Sequence, residues 1–299
     1  MATTTVVADL VRQVGGDRVI VDCLMGPGVD PHSYRATPRD ADRLARADLI
    51  VASGLHLEGK LTDLLEKLGR TKRVVLVAEA VPSEGLLEAA PGVPDPHVWF
   101  DAGLWSHVVE PLVDPLVAID PEGADMYRSR AAAHADSLRR LHERLRDIFS
   151  TIPGRRRVLV TAHDAFSYLG RGYGIEVVGL QGVSTESEAG LADVNRIVGL
   201  VVDRDVPAVF VEWSVSDRAV EAMCEGVRAL GREIRIGGRL YSDALGEPGS
   251  GAETLAGMLV SNAEMIRREL SAQDPSSGAA DADAEVSTVN ARELSKEVR

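Results

Sequence analysis

One long helical stripe near the middle of the chain constrains the fold most. Across residues 121–149, Leu138, Leu141, Leu145 and Ile148 recur at spacings of three and four, which lays one apolar face along a helix. Pro121 suits its first turn, and Pro153-Gly154 breaks it. At about 1.5 Å per residue such a helix spans roughly 40 Å, longer than one small lobe. It therefore reads as a backbone joining two lobes.

On both sides of this stripe, strand-like and helix-like runs alternate. Before it, residues 19–24, 49–52 and 74–77 read as strands and residues 58–68 and 101–116 as helices, and Thr37-Pro38-Arg39-Asp40 opens another helix. Thr37 is placed as an N-cap and Pro38 at the first helical position. After it, strands are predicted at 157–161, 175–180, 207–211 and 233–236. Helices are predicted at 163–173, 188–202, 216–230 and 253–270. This rhythm predicts an α/β fold with mostly parallel sheets flanked by helices, in two lobes. The 299 residues suffice for two cores. The divisions are an N-terminal α/β lobe at 1–120, a connecting helix at 121–150 and a C-terminal α/β lobe at 151–271. Residues 272–299, small and acidic, read as a disordered tail.

Asp-Pro-His occurs twice, at Asp30-Pro31-His32 and Asp95-Pro96-His97, each time after a strand-like run and its loop. Proline stiffens the loop and removes one N–H, so the next imidazole is presented from a firm support. Two more candidates follow strands in the second half. His163 comes after residues 157–161, and Asp243 follows the strand ending at residue 236 and the pair Gly237-Gly238. In open α/β sheets, ligands bind beyond the carboxyl ends of strands. Three neutral imidazoles and a carboxylate suit a borderline divalent cation, and four protein donors leave no position for a catalytic water.

The remaining histidines invite plainer readings. His107 reads as a surface or packing residue, and His134 and His142 as solvated positions on the long helix. His56, at a strand-to-helix turn, is placed to line the cleft. Glu186, Glu188 and Glu212 follow strands and are candidates to orient an imidazole, although capping a helix suits Glu186 and Glu188 equally.

The formal charge of −13 argues against nucleic acid or an anionic membrane as the main partner. Cys23 and Cys224 form no CxxC pair and read as buried free thiols. No apolar run reaches the roughly 18 residues of a membrane span, and no signal peptide is visible.

Six blocks in order make the chain similar to a known family: GPGVDPHSYRATPRD (26–40), ADLIVASGLHLEG (47–59), DPHVWFD (95–101), TAHDAFSYLGRGYGI (161–175), FVEWSVS (210–216) and YSDALG (241–246). Over residues 3–270 it resembles the metal-binding solute-binding proteins of zinc and manganese ABC importers, the TroA-like and ZnuA-like proteins. The resemblance implies two α/β lobes joined by a rigid helix, with the metal between them. It implies His32, His97, His163 and Asp243 as ligands, His56 as a family position that is not a ligand, and no enzymatic activity. Zinc or manganese would be cargo, a membrane permease the partner, and the protein a monomer in the periplasm or outside the cell, associated with the membrane. Residues 82–95 lack the histidines of zinc-specialised relatives, which points to the manganese-or-zinc type. The competing readings are a metal-dependent hydrolase, with Glu188 or Glu212 as base, and a binder of an organic ligand such as a chelate.

Overall fold

The computed structural model describes residues 1–272. The expected tail at 272–299 therefore lies, apart from Ala272, outside the described residues. The first element, α1 (Thr5–Gly15), is not among the sequence expectations. Its signal is present: Thr4 caps it by accepting from the Val7 N–H, and it buries Val6, Val7, Leu10, Val11 and Val14. Residues 19–24, expected as a strand, form only one bridge, between Cys23 and Ala2. Ala2 bridges Cys23 on one side and Val51 on the other. The segment thus meets the sheet for one residue, and Ile20 stands fully exposed.

Helix α2 (Pro38–Arg46) starts as predicted. Thr37 accepts from the Asp40 N–H, and Asp40 accepts in return from the Thr37 N–H, a reciprocal capping box. Then come β1 (Ile50–Ala52), α3 (Thr62–Gly69) and β2 (Val74–Leu76), with β1 and β2 parallel. An exposed antiparallel pair, β3 (Glu88–Ala90) and β4 (Val93–Pro94), leads to the second Asp-Pro-His. The helix expected at 101–116 is broken into α4 (Ala102–Trp105), 3₁₀ turns, and α5 (Val113–Ile119). Pro111 sits at the break, where its missing N–H and its restriction of Glu110 interrupt the ladder. Asp101 caps α4 by accepting from the Gly103 and Leu104 N–H groups. The long helix α6 (Ala124–Ser150) follows a 3₁₀ turn that begins at Pro121.

The second half contains β5 (Val158–His163), α7 (Ser167–Tyr173), β6 (Glu176–Gln181), α8 (Leu191–Asp203), β7 (Ala208–Glu212), α9 (Arg218–Ala229), β8 (Arg235–Leu240) and α10 (Leu255–Ser271). β5 pairs with β6 and β7 with β8, both parallel, and β5 packs beside β7. Strand β8 does not stop at Ile236. Ile236 pairs with Val209 and Gly238 with Phe210, so Gly237 is an inserted residue and the strand runs on to Leu240. A Cβ on Gly238 would stand 2.4 Å from Met265 Sδ of α10, so the Met265 side chain would have to shift to admit it.

Strand alternation distributes side chains between cores. Ile50 and Ala52 face a small core with Leu44, Leu61 and Leu65, while Val51 faces the central core. Val209 and Val211 join a core with α8 and α9, while Phe210 faces the central one. That central core is shared: it takes in α1, α4, α5, α6, α7 and α10, and so belongs to both lobes. Phe100 from the first half packs on Phe166 from the second, ring centroids 4.4 Å apart. No helix among the described residues is long and apolar enough to cross a membrane.

Candidate metal centre

The two Asp-Pro-His tripeptides fold alike, for a reason that lies in the aspartate as much as the proline. Asp30 Oδ1 accepts the His32 N–H at 2.9 Å, and Asp95 Oδ1 accepts the His97 N–H at 2.9 Å. Each is an aspartate turn, closed by its own side chain two residues on. Asp95 does more: its Oδ1 also lies 2.7 Å from His97 Nδ1. An ionised carboxylate can only accept, so Nδ1 carries a proton and Nε2 points inward.

His163 is the last residue of β5, not the start of a helix as expected; α7 begins at Ser167. Glu212, the last residue of β7, reaches across to it. Glu212 Oε1 accepts the His163 N–H at 2.9 Å, and Oε2 lies 2.7 Å from Nδ1. Asp243 follows β8, and its Oδ2 accepts from Ser214 Oγ at 2.9 Å.

Three loops and the end of β5 bring His32, His97, His163 and Asp243 together. One ligand atom from each lies within 4.8 Å of every other, and all four residues are buried. His32 Nε2 and His97 Nε2 are 3.2 Å apart. His97 Nε2 is 3.3 Å from Asp243 Oδ1, and His163 Nε2 is 3.5 Å from Asp243 Oδ2. Donors about 2.1 Å from a tetrahedral ion stand roughly 3.4 Å apart, so these separations fit one. His163 Nε2 and Asp243 Oδ1 are buried without a hydrogen bond to the protein, although each faces an oppositely charged neighbour. Inward-facing orphan atoms of this kind suit a cation.

The electrostatics are those of imidazoles and carboxylates buried together. Burial and the other two imidazoles push His32 down to about 4 despite the nearby Asp243. Burial also opposes charging His97, but hydrogen bonds to Asp243 and Asp95 outweigh it and raise this imidazole to about 9. For His163, burial is again overcome, by the charges of Glu212 and Asp243, and its pKa is raised. Burial would raise Asp243, yet His163, His97 and His32 hold it well below the usual carboxylate range. His97 and His163 therefore hold a proton more tightly than a free imidazole does. An entering dication must displace protons held there, and the nearby carboxylates offset its charge.

The other candidates fall outside. His56 is exposed, at a left-handed turn (φ 65°) stabilised by Glu58, which accepts from the Ser53 and Gly54 N–H groups. His107 is exposed and His134 half-buried. His142 is not simply solvated: it lies 2.9 Å from Asp101 Oδ1 and packs on Tyr173. Of the three glutamates, only Glu212 contacts an imidazole ring of the cluster. Glu186 pairs with Lys60, and Glu188 is exposed. The support given by Asp95 escaped sequence reasoning, though its signal is the repetition of the aspartate itself.

A family model described as zinc-uptake complex component A, periplasmic, matches residues 1–269. The chain is 45% identical over 270 residues to the manganese-binding lipoprotein MntA of Bacillus subtilis, covering 90% of this chain and 88% of that one. It is 27% identical over 280 residues to the manganese ABC transporter substrate-binding lipoprotein PsaA of Streptococcus anginosus, covering 91% and 88%. The solved periplasmic zinc-binding protein TroA of Treponema pallidum superposes with a TM-score of 0.88 at 41% identity, covering 91% of this chain and 98% of that one. The two share the α/β fold.

Proposed function

The chain belongs to the family of periplasmic zinc-uptake component A proteins, and from that premise we propose how it handles its cargo. It is the substrate-binding component of an ABC importer for divalent zinc or manganese, and not an enzyme. His32, His97, His163 and Asp243 hold the ion between a first lobe (1–120) and a second (151–271), with residues 121–150 as the connecting helix. The loaded protein delivers the ion to the membrane permease. It works as a monomer, outside the cytoplasm and anchored at the membrane, as the lipoprotein relatives suggest; with a charge of −13 it has no nucleic-acid partner.

One observation carries this reading: four buried donors, from three loops and the end of β5, converge within 4.8 Å. Neutral nitrogen and carboxylate oxygen are acceptable to zinc and manganese alike, with raw affinity favouring zinc. A hydrolytic reading would need an open coordination position; here Glu212, its proposed base, is engaged by His163.

Titration calorimetry on metal-stripped protein tests the proposal. The expected result is uptake of one zinc or manganese ion per chain; no uptake of either overturns the reading. Because His97 is raised to about 9 and His163 is raised too, protons compete with the metal below about pH 9. Affinity is therefore expected to fall as pH drops below that value, by about tenfold per pH unit for each proton displaced. Buffers of different ionisation enthalpy read the proton release directly.

Glu212→Gln keeps the shape of the support but removes its charge. It is expected to weaken metal binding about ten- to a hundredfold in a chelator competition. Unchanged affinity would remove Glu212 from the binding machinery.

A further inference from the structure

The buried cluster raises a question of access. His97, His163 and Asp243 are at most 1% exposed and His32 5%, so an ion cannot reach them without some opening. Separating the lobes wholesale would split the shared core and part Phe100 from Phe166. One side of the seam is also sewn by side-chain bonds to the backbone, one part-buried and one buried. Thr5 Oγ1 accepts the Leu245 N–H at 2.7 Å, and Asp9 Oδ2 accepts the Leu255 N–H at 2.9 Å. Closer to the cluster, Trp99 Nε1 donates to the Ser242 carbonyl, and the Tyr168 hydroxyl to the Asp95 carbonyl.

The loop between β6 and α8, residues 182–190, is attached differently. It crosses to the first lobe through two side-chain contacts near its tip. Thr185 Oγ1 donates to Asp30 Oδ2 at 2.6 Å, and Glu186 pairs with Lys60. Lys60 and Glu186 are partly exposed, and Thr185 is half-buried. Side-chain contacts at the surface open more readily than buried backbone bonds. Asp30 is also the residue whose other oxygen holds the His32 N–H. The loop is therefore fastened to the segment that presents the least buried of the four donors.

We propose that Thr185 and Glu186 form a latch, closing residues 182–190 over the His32 loop and setting the rate at which the ion enters and leaves. The proposal rests on the metal-binding reading above and adds to it where the site opens. The latch touches no donor atom. It changes how fast the cage opens, not what the ion is bound to.

The test uses the full chain loaded with cobalt(II), whose visible absorption reports its ligand set. Release into excess chelator is followed by rapid mixing. The double variant Thr185→Val with Glu186→Gln is expected to release cobalt about tenfold faster than the unsubstituted protein, with its absorption bands unchanged. A Lys60→Glu with Glu186→Lys charge exchange, leaving Thr185 intact, is expected to restore slow release that Glu186→Lys alone loses. Unsubstituted rates in the double variant overturn the latch and leave the metal site standing. Altered absorption bands in the double variant also overturn it, since the loop would then shape the ligands. Failure of the unsubstituted protein to bind cobalt, zinc or manganese overturns the metal reading and the latch with it.

Discussion

Asp243→Ala is expected to weaken metal binding by about 150-fold, measured near pH 9 by competition with a chelator of known affinity. Tight four-ligand sites bind zinc with roughly 10–16 kcal/mol, so one ligand of four is worth about 3 kcal/mol. Asp243 is the sole anion of the set, and its removal also leaves the bound cation with less compensating charge. The pH matters to the size of the effect. Asp243 is one of the two carboxylates that raise His97 to about 9. Its removal lowers that imidazole, weakens proton competition and offsets part of the lost affinity at neutral pH. The factor is therefore larger near pH 9, where protons compete less, than at neutral pH. An Asp243→Ala protein with unchanged affinity at both pH values would remove this carboxylate from the ligand set.

Phe149→Ala is expected to destabilise the protein by about 3–5 kcal/mol through loss of a large side chain and the cavity left behind. For a chain of this size that lowers the melting temperature by about 5–8 °C. Phe149 is fully buried at the end of α6 and stacks on Tyr173 of α7, centroids 5.3 Å apart at 20°. Little can collapse into the space, because Tyr173 is itself held by the Ala102 N–H on its hydroxyl and by His142 on its ring. The melt is expected to stay a single transition. α6 contributes Leu138, Leu141, Leu145 and Phe149 to a core that both lobes use, so neither lobe loosens alone. Two separated transitions would contradict the shared core.

The strongly periodic parts of the fold were readable without coordinates. The stripe of α6 and the Thr37-Pro38-Asp40 start of α2 state their structure through spacing and capping chemistry alone. The break in residues 101–116 has its signal in Pro111, which the apolar periodicity on either side masks. Residues 19–24 misled because β-branched residues favour strands only when a neighbour pairs with them, and the pairing partner here is a single residue. Strand β8 misled in the opposite sense: two glycines resembled an end but form an irregularity that lets α10 pack close.

Proximity at the site was not readable from spacing. His32 and Asp243 are far apart in sequence, and only the topology says that β5, β7 and β8 deliver their ends to the same place as the two aspartate turns. What the sequence did carry was residue type at strand ends, which sufficed to name the four side chains that the structure brings together. It could not separate Glu212 from Glu186 and Glu188. All three stand at or after strand ends, and only the packing of β5 beside β7 selects the one that meets His163.

The shared core has a consequence for how such a protein can change over time. Halves with separate interiors can be recombined between relatives as interchangeable parts. Here a transplanted half would arrive with aromatic rings cut for a different counterpart, Phe100 without its Phe166 and Tyr173 without its Phe149. Altered cargo preference is therefore easier to reach by exchanging single loops at the seam than by shuffling lobes.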